Sequence, residues 1–177
     1  MEDNSITLYT PHGKQLAVHE ACSNPDLFFI CVNAGRQSGK TALSQQQAIK
    51  WALESPNQLV YWVSPTAAQC AKVYEQMLNM IMNQPFMTSS KGGKGDTEIT
   101  FYNNSKILFR SSAQEDSLRG ETIEYLIVDE ASFQKEIVFF EILLPMLNVR
   151  GKKVLIVSTP KGRNWFFNMI QKGKIDD

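Results

Sequence analysis

The sequence predicts an α/β fold: a mostly parallel sheet with helices on both faces, plus a β-hairpin. Three observations predict it. Short, nearly continuous apolar runs recur (LFFICVNA at 27–34, LVYWVS at 59–64, YLIVD at 125–129, VLIVS at 154–158), as expected of strands buried on both faces. Segments with helical spacing separate them. The runs end in small or polar residues, where an open α/β sheet places its ligands.

Taken in order, the run at 27–34 is the first strand, and a helix follows over 39–53, closed by Ser55-Pro56. The run at 59–64 is stopped by Pro65. Thr66 can cap a helix in which Cys70, Val73, Met77 and Ile81 share one apolar face. The breaker-rich stretch at 89–96 (SSKGGKGD) reads as a mobile surface loop. Strands at 97–102 and 105–110 flank Asn103-Asn104, a pair suited to a tight hairpin because Asn tolerates positive φ. After the run at 125–129, a helix is expected over 136–147, bent or ended at Pro145. The strand at 154–158 and a helix at 162–171 complete the chain.

Composition narrows the function. The 177 residues carry 18 basic and 18 acidic side chains, so no chain-wide basic field exists to grip nucleic acid; a local patch is still allowed. Cys22, Cys31 and Cys70 form neither a metal-binding spacing nor an even set, which fits buried thiols in a reducing compartment. The start, MEDNSITLYT, is not a signal peptide, and the most apolar stretch, 137–147, is interrupted by Glu141 and Pro145 and far too short to span a bilayer.

The chemistry is carried by three strand ends. The first strand runs into Ala34-Gly35-Arg36-Gln37-Ser38-Gly39-Lys40-Thr41 and then a helix, the context that makes a P-loop meaningful. Backbone N–H groups there cradle phosphates, helped by the helix dipole. Lys40 neutralises β/γ-phosphate charge, and the Thr41 hydroxyl is placed for Mg²⁺. Ala34 stands where the pattern wants Gly, so Gly35 is expected to supply the turn. The second end is Asp129-Glu130: Asp129 holds Mg²⁺ through water, and Glu130 polarises the attacking water, which argues for hydrolysis rather than binding alone. The third end is Ser158-Thr159-Pro160, whose hydroxyls are expected beside the γ-phosphate. The lysine-tipped turn and the acids are expected to meet across neighbouring strand ends.

Together with Ser64-Pro65-Thr66, Ser117-Leu118-Arg119-Gly120, Ile127-Val128-Asp129-Glu130-Ala131 and Ser158-Thr159-Pro160-Lys161-Gly162-Arg163-Asn164-Trp165-Phe166, the P-loop resembles that of phage terminase large subunits, the DNA-packaging motors, over about residues 11 to 167. The resemblance implies a P-loop NTPase (RecA/ASCE-like) ATPase domain spanning 1–177, with 1–26 as an adenine-side N-terminal segment and 27–177 as the P-loop core. It implies ATP and Mg²⁺ as cofactors. Gln15 reads adenine. Gly35, Arg36, Gln37, Ser38, Gly39, Lys40, Thr41 and Ala42 form the phosphate site, joined by Ser158 and Thr159, and Thr41 and Asp129 are the metal residues. Glu130 is the base, Arg36 a γ-phosphate sensor, and Arg119 an arginine finger offered to a neighbouring subunit, with Arg110 as the alternative. The implied partners are double-stranded DNA, a portal protein, a small terminase subunit and further copies in a ring, a pentamer by resemblance. The implied location is the cytoplasm of an infected bacterium and, transiently, the procapsid portal.

The family's second, nuclease domain is expected to be missing, because the chain stops at Lys174-Ile175-Asp176-Asp177. Two other readings stay open. One is the first RecA-like half of a helicase, since Asp129-Glu130-Ala131-Ser132 is close to a DEAx box. The other is a nucleotide-switched binding module with little turnover. For DNA contact, Lys91, Lys94, Lys152 and Lys153 are the candidates.

Overall fold

In the computed structural model, residues 8–93 and 97–173 are described. Among them the sheet has seven strands: β1 (Phe29–Asn33), β2 (Leu59–Ser64), β3 (Met87–Lys91), β4 (Thr97–Phe101), β5 (Lys106–Ser111), β6 (Tyr125–Val128) and β7 (Lys153–Ser158). Their spatial order is β1-β7-β6-β2-β5-β4-β3. The strands from β1 to β5 in that order run parallel, and β4 and β3 add antiparallel at one side. The expected mostly parallel sheet with a hairpin is therefore what the chain forms.

Period-two alternation sorts the strand residues onto two faces. Val60, Trp62, Ile107 and Ile127 pack with α1 (Gly13–Ser23), α2 (Lys40–Glu54) and α3 (Ala67–Ile81). Tyr61, Val63, Leu126 and Val128 pack with Val138, Phe139, Leu143 and the start of α4 (Trp165–Gly173). Helical structure thus covers both faces.

Local chemistry explains most boundaries. Thr66 caps α3, its Oγ1 accepting the Gln69 N–H at 3.2 Å. Asn104 takes φ 63° in the β4–β5 turn. Its neighbour Asn103 donates to Ala52 O and Ser55 O at 2.9 and 3.1 Å, satisfying carbonyls at the end of α2. Asn164 Oδ1 accepts the Phe167 N–H at 3.0 Å, so α4 begins after Gly162 rather than at it.

One expectation needs correction, one holds with a different helical geometry, and one element is not expected from the sequence. Residues 89–91 of the expected loop belong to an edge strand, Met87–Lys91, on β4, because β4 presents backbone partners that no local pattern announces; residues 94–96 of that loop lie outside the described residues. The helical segment expected over 136–147 is present, as a π-helix at Val138–Leu143 that passes into a 3-10 turn at Leu144–Leu147, where Pro145 has no N–H to continue a regular ladder. Helix α1 is absent from the sequence expectation, since it buries only Gln15 and Cys22 and so has no apolar stripe to read. The three cysteines are free thiols, and burial pushes Cys22 up to about 12 and Cys31 up to about 11.

Candidate nucleotide site

The site lies at the C-terminal ends of β1, β7, β6 and β2, where parallel strands release their connections. A cavity of about 760 Å³ is lined by Arg36 to Ala42, Gln69, Glu130, Phe133, Thr159, Pro160 and Lys161. A second cavity, about 660 Å³, shares Ser38, Gly39 and Lys40 with it and extends to His12, Gln15, Val18 and Val32. The P-loop therefore separates a space on the Glu130 and Thr159 side from a more apolar space beside α1.

The loop's shape comes from two left-handed residues, Gln37 (φ 59°) and Gly39 (φ 79°). Gly35 is not one of them, which corrects the expectation that it replaces the missing glycine at Ala34. Gly39 has a second reason to lack a side chain: a Cβ there would sit 2.5 Å from Gln15 Nε2. Gln15 is buried, takes the His12 N–H on Oε1 at 3.1 Å and donates to Gly39 O at 3.3 Å. It thereby ties the N-terminal segment to the loop.

Lys40 is buried and donates to Ala34 O and Gly35 O, each at 2.8 Å. An ammonium has three donors, so these two bonds aim it and leave the third for an anion. Ser38 Oγ is buried with no hydrogen-bond partner. An orphaned hydroxyl just before the N-terminus of α2 fits a phosphate oxygen.

Asp129 and Glu130 leave β6 in opposite directions. Asp129 is 6% exposed, and Ser64 Oγ at the end of β2 donates to its Oδ2 at 3.4 Å. Burial, then the Glu130 charge, pushes the Asp129 carboxyl up to about 6; Ser64, the Glu130 backbone and the Lys40 ammonium oppose this without cancelling it. A buried carboxylate short of positive charge and a hydroxyl are oxygen donors of the kind Mg²⁺ takes; Thr41 lines the cavity, whereas Asp129 lies behind it and lines neither cavity. Glu130 turns into the cavity because its backbone is left-handed (φ 48°, ψ 48°), a conformation that costs a non-glycine residue on the order of 1–2 kcal/mol. It is held there by the end of β7. Thr159 N–H and Oγ1–H donate to its carboxylate at 3.2 and 3.3 Å, and Ser158 Oγ lies 3.4 Å from it.

That arrangement revises two expectations. The P-loop strand and the acid strand are not neighbours, since β7 lies between them. Ser158 is fully buried and lines neither cavity; its hydroxyl accepts the Ser132 N–H at 3.0 Å and braces the Glu130 turn. Thr159 does reach the cavity.

Of the arginines, Arg36 lines the cavity mouth. Arg119 is exposed and lines neither cavity. Arg110 is committed to its own fold, donating to Thr97 O and Phe109 O at 3.1 and 3.0 Å and lying over the Tyr61 ring. Lys152 bonds Gln58 Oε1 at 2.7 Å and stacks over Tyr125, and Lys153 bonds the carbonyls of Asn24 and Leu27. Both lie at the N-terminal strand ends, away from the cavity, where they also make these structural contacts. Lys91 lies on β3, and Lys94 lies outside the described residues.

Sequence reasoning missed Gln69, Phe133 and Gln134. Gln134 is buried, and its Nε2 clamps Asp129 O at 2.7 Å and Val63 O at 3.2 Å, while its backbone carbonyl accepts the Trp165 indole N–H at 2.9 Å. Nothing local marks it, because two of its three partners, Val63 and Trp165, come from distant elements. Phe133 is half exposed beneath the Lys161 ammonium, 4.0 Å from the ring centroid.

Known proteins resemble this chain in sequence and fold. The family described as terminase large subunit, T4likevirus-type, N-terminal, matches residues 31–175. The terminase large subunit of Escherichia phage T5 is 31% identical over 159 residues, covering 89% of this chain and 36% of that protein. That of Thermus phage G20c is 28% identical, covering 93% of this chain and 37% of that one. The chain thus spans little more than a third of the length of these relatives. The large terminase ATPase domain of Thermus phage P74-26 superposes with a TM-score of 0.72 at 27% identity, over 90% of this chain and 69% of that one. The large terminase of another thermophilic bacteriophage, in complex with ADP, shares the fold at a TM-score of 0.73 and 20% identity, over 93% of this chain and 42% of that one. With the P-loop, the acid pair and the bracing strand in their places, this chain belongs to the terminase large-subunit family and represents its N-terminal domain.

Proposed function

We propose that this domain hydrolyses Mg·ATP and that the hydrolysis powers movement of double-stranded viral DNA into a procapsid. The observation that carries the reading is the Glu130 carboxylate, forced into the phosphate cavity by a left-handed backbone and gripped by Thr159. A binding module has no use for a strained acid facing its phosphate pocket.

The residues divide the work. Loop N–H groups, Ser38 and Lys40 hold the phosphates, and the positive end of α2 lies behind them. Thr41 and Asp129 would hold Mg²⁺, which would supply positive charge to the phosphate oxygens. Glu130 takes a proton from the attacking water. Thr159 and Ser158 keep that carboxylate aimed, so a change at the base is transmitted directly to the end of β7. The adjoining cavity with Gln15 takes the base and sugar. Arg36 meets the γ-phosphate from the mouth. Arg119, exposed and outside the cavity, is the arginine presented to a neighbouring copy in a ring; Arg110 is tied down by its own backbone contacts.

The choice of nucleotide is supported by the thermophilic bacteriophage large terminase that shares this fold and is seen in complex with ADP and with ATP-γ-S. Membership in the terminase family supports DNA, portal and small-subunit partners, a ring assembly, and work in the host cytoplasm. Among the described residues no helix is long and apolar enough to cross a membrane. The test is turnover by the wild-type chain and by Glu130→Gln, with ATP binding measured in parallel. The variant should bind ATP and lose ~10²–10⁴-fold in rate. An unchanged rate would place the base elsewhere.

A further inference from the structure

We propose that Gln69 is a catalytic residue that donates its side-chain amide to a γ-phosphate oxygen from the α3 side of the cavity, an inference that rests on the ATP reading above. Gln69 lines the same cavity as Lys40, Thr41, Glu130 and Thr159. The other walls come from the P-loop, the turn after β6 and the end of β7; Gln69 is what α3 contributes.

Its orientation is set locally. Thr66 Oγ1 accepts the Gln69 backbone N–H at 3.2 Å, so the Thr66 hydroxyl proton is directed onward, to Gln69 Oε1 at 3.0 Å. This closed pair occupies the acceptor end of the amide. Gln69 is exposed; its Nε2 makes no hydrogen bond among the described residues, and with Oε1 held by Thr66 its two N–H groups are available to a ligand in the cavity that the residue lines. A phosphate oxygen only accepts, so a fixed neutral donor suits it. Gln69 also lies in the first turn of a 15-residue helix, where the helix dipole favours an anion.

The position complements Glu130. Glu130 accepts a proton from water, whereas Gln69 can stabilise charge spreading over the equatorial oxygens as the terminal bond breaks. Because Ser64, at the end of the strand leading into α3, donates to Asp129, one segment serves both metal and γ-phosphate. The contact exists only with a triphosphate, so Gln69 distinguishes ATP from ADP.

The experiment compares wild type, Gln69→Ala, Gln69→Glu and Glu130→Gln at equal concentration, reading ADP affinity, ATP-γ-S affinity, kcat and unfolding midpoint. Gln69→Ala should leave ADP affinity within about twofold and lower kcat and the ATP-γ-S preference by roughly 10–100-fold, the range of one hydrogen bond to a charged acceptor. Gln69→Glu keeps the length and the Thr66 bond, so it should fold normally, yet its charge opposes the phosphate and the loss should be at least as large. Wild-type kcat in both Gln69 variants, or an equal loss of ADP and ATP-γ-S binding, overturns the proposal. If these variants match wild type while Glu130→Gln stops turnover, only Gln69 is reassigned. If the wild-type chain binds neither nucleotide, the ATP reading falls and this inference falls with it.

Discussion

At the N-terminal ends of the parallel strands, Glu124 accepts the Leu59 N–H at 2.8 Å and meets Arg150 at 3.0 Å, while Lys152 and Lys153 are consumed by Gln58 and by backbone carbonyls. At the opposite ends of the same strands, Ser38 Oγ has no partner, Asp129 is buried with too little positive charge, and Gln37 and Glu130 sit in left-handed backbone. Both ends bury charge beside a packed core. One is satisfied internally and the other is left open to a ligand's charge. Stability is built where polar groups complete one another, and binding capacity where they are held incomplete.

Breaking each end should therefore give opposite kinds of loss. The largest effect belongs to Lys40→Ala, which should abolish nucleotide binding in a direct titration while the unfolding midpoint holds near wild type; unchanged affinity removes the P-loop assignment. Next is Asp129→Asn. The folded Asp129 titrates near 6 against an ordinary value of 3.8, so the native state holds a proton that the unfolded chain releases in that window. Metal-free stability then falls as pH rises from about 4 to 6 and is flat above. Asn should flatten this slope and stabilise the metal-free protein at pH 7, by up to roughly 3 kcal/mol. The same change should remove the Mg²⁺ dependence of ATP binding. A destabilised Asn variant would mean that Asp129 is better compensated than its surroundings show.

At the satisfied end the sign reverses. Glu124→Ala strands the Leu59 N–H and the Arg150 partner, costing about 1–3 kcal/mol in denaturant unfolding with nucleotide affinity intact. Smallest is Lys152→Ala, expected within about 1 kcal/mol and without effect on affinity for duplex DNA. A marked loss of DNA binding there would return Lys152 to the interface and erase the contrast.

How much could be read in advance follows the range of the interactions. The P-loop and the acid pair are contiguous in sequence, so their chemistry is legible from residue type and from the strand each one ends. The β4–β5 hairpin is legible too, because Asn104 declares a left-handed turn. Helix α1 and strand β3 are not: one buries almost nothing apolar, and the other exists only because β4 offers it backbone partners. Gln134 escaped because its clamp depends on atoms from other elements, and Gln69 because the cavity it lines is walled by other elements, although Thr66 orients it locally.

The linear sequence alone determined the alternation of buried strands and helices, the phosphate loop and the identity of the two acids, because each rests on short-range pattern and side-chain chemistry. Only the tertiary structure decided that β7 separates the P-loop strand from the acid strand and holds Glu130, and that Lys152 and Lys153 belong to the far end. The physical reason is that strand order and side-chain pairing are settled by packing among segments distant in sequence, and no local propensity encodes which strand will lie between two others.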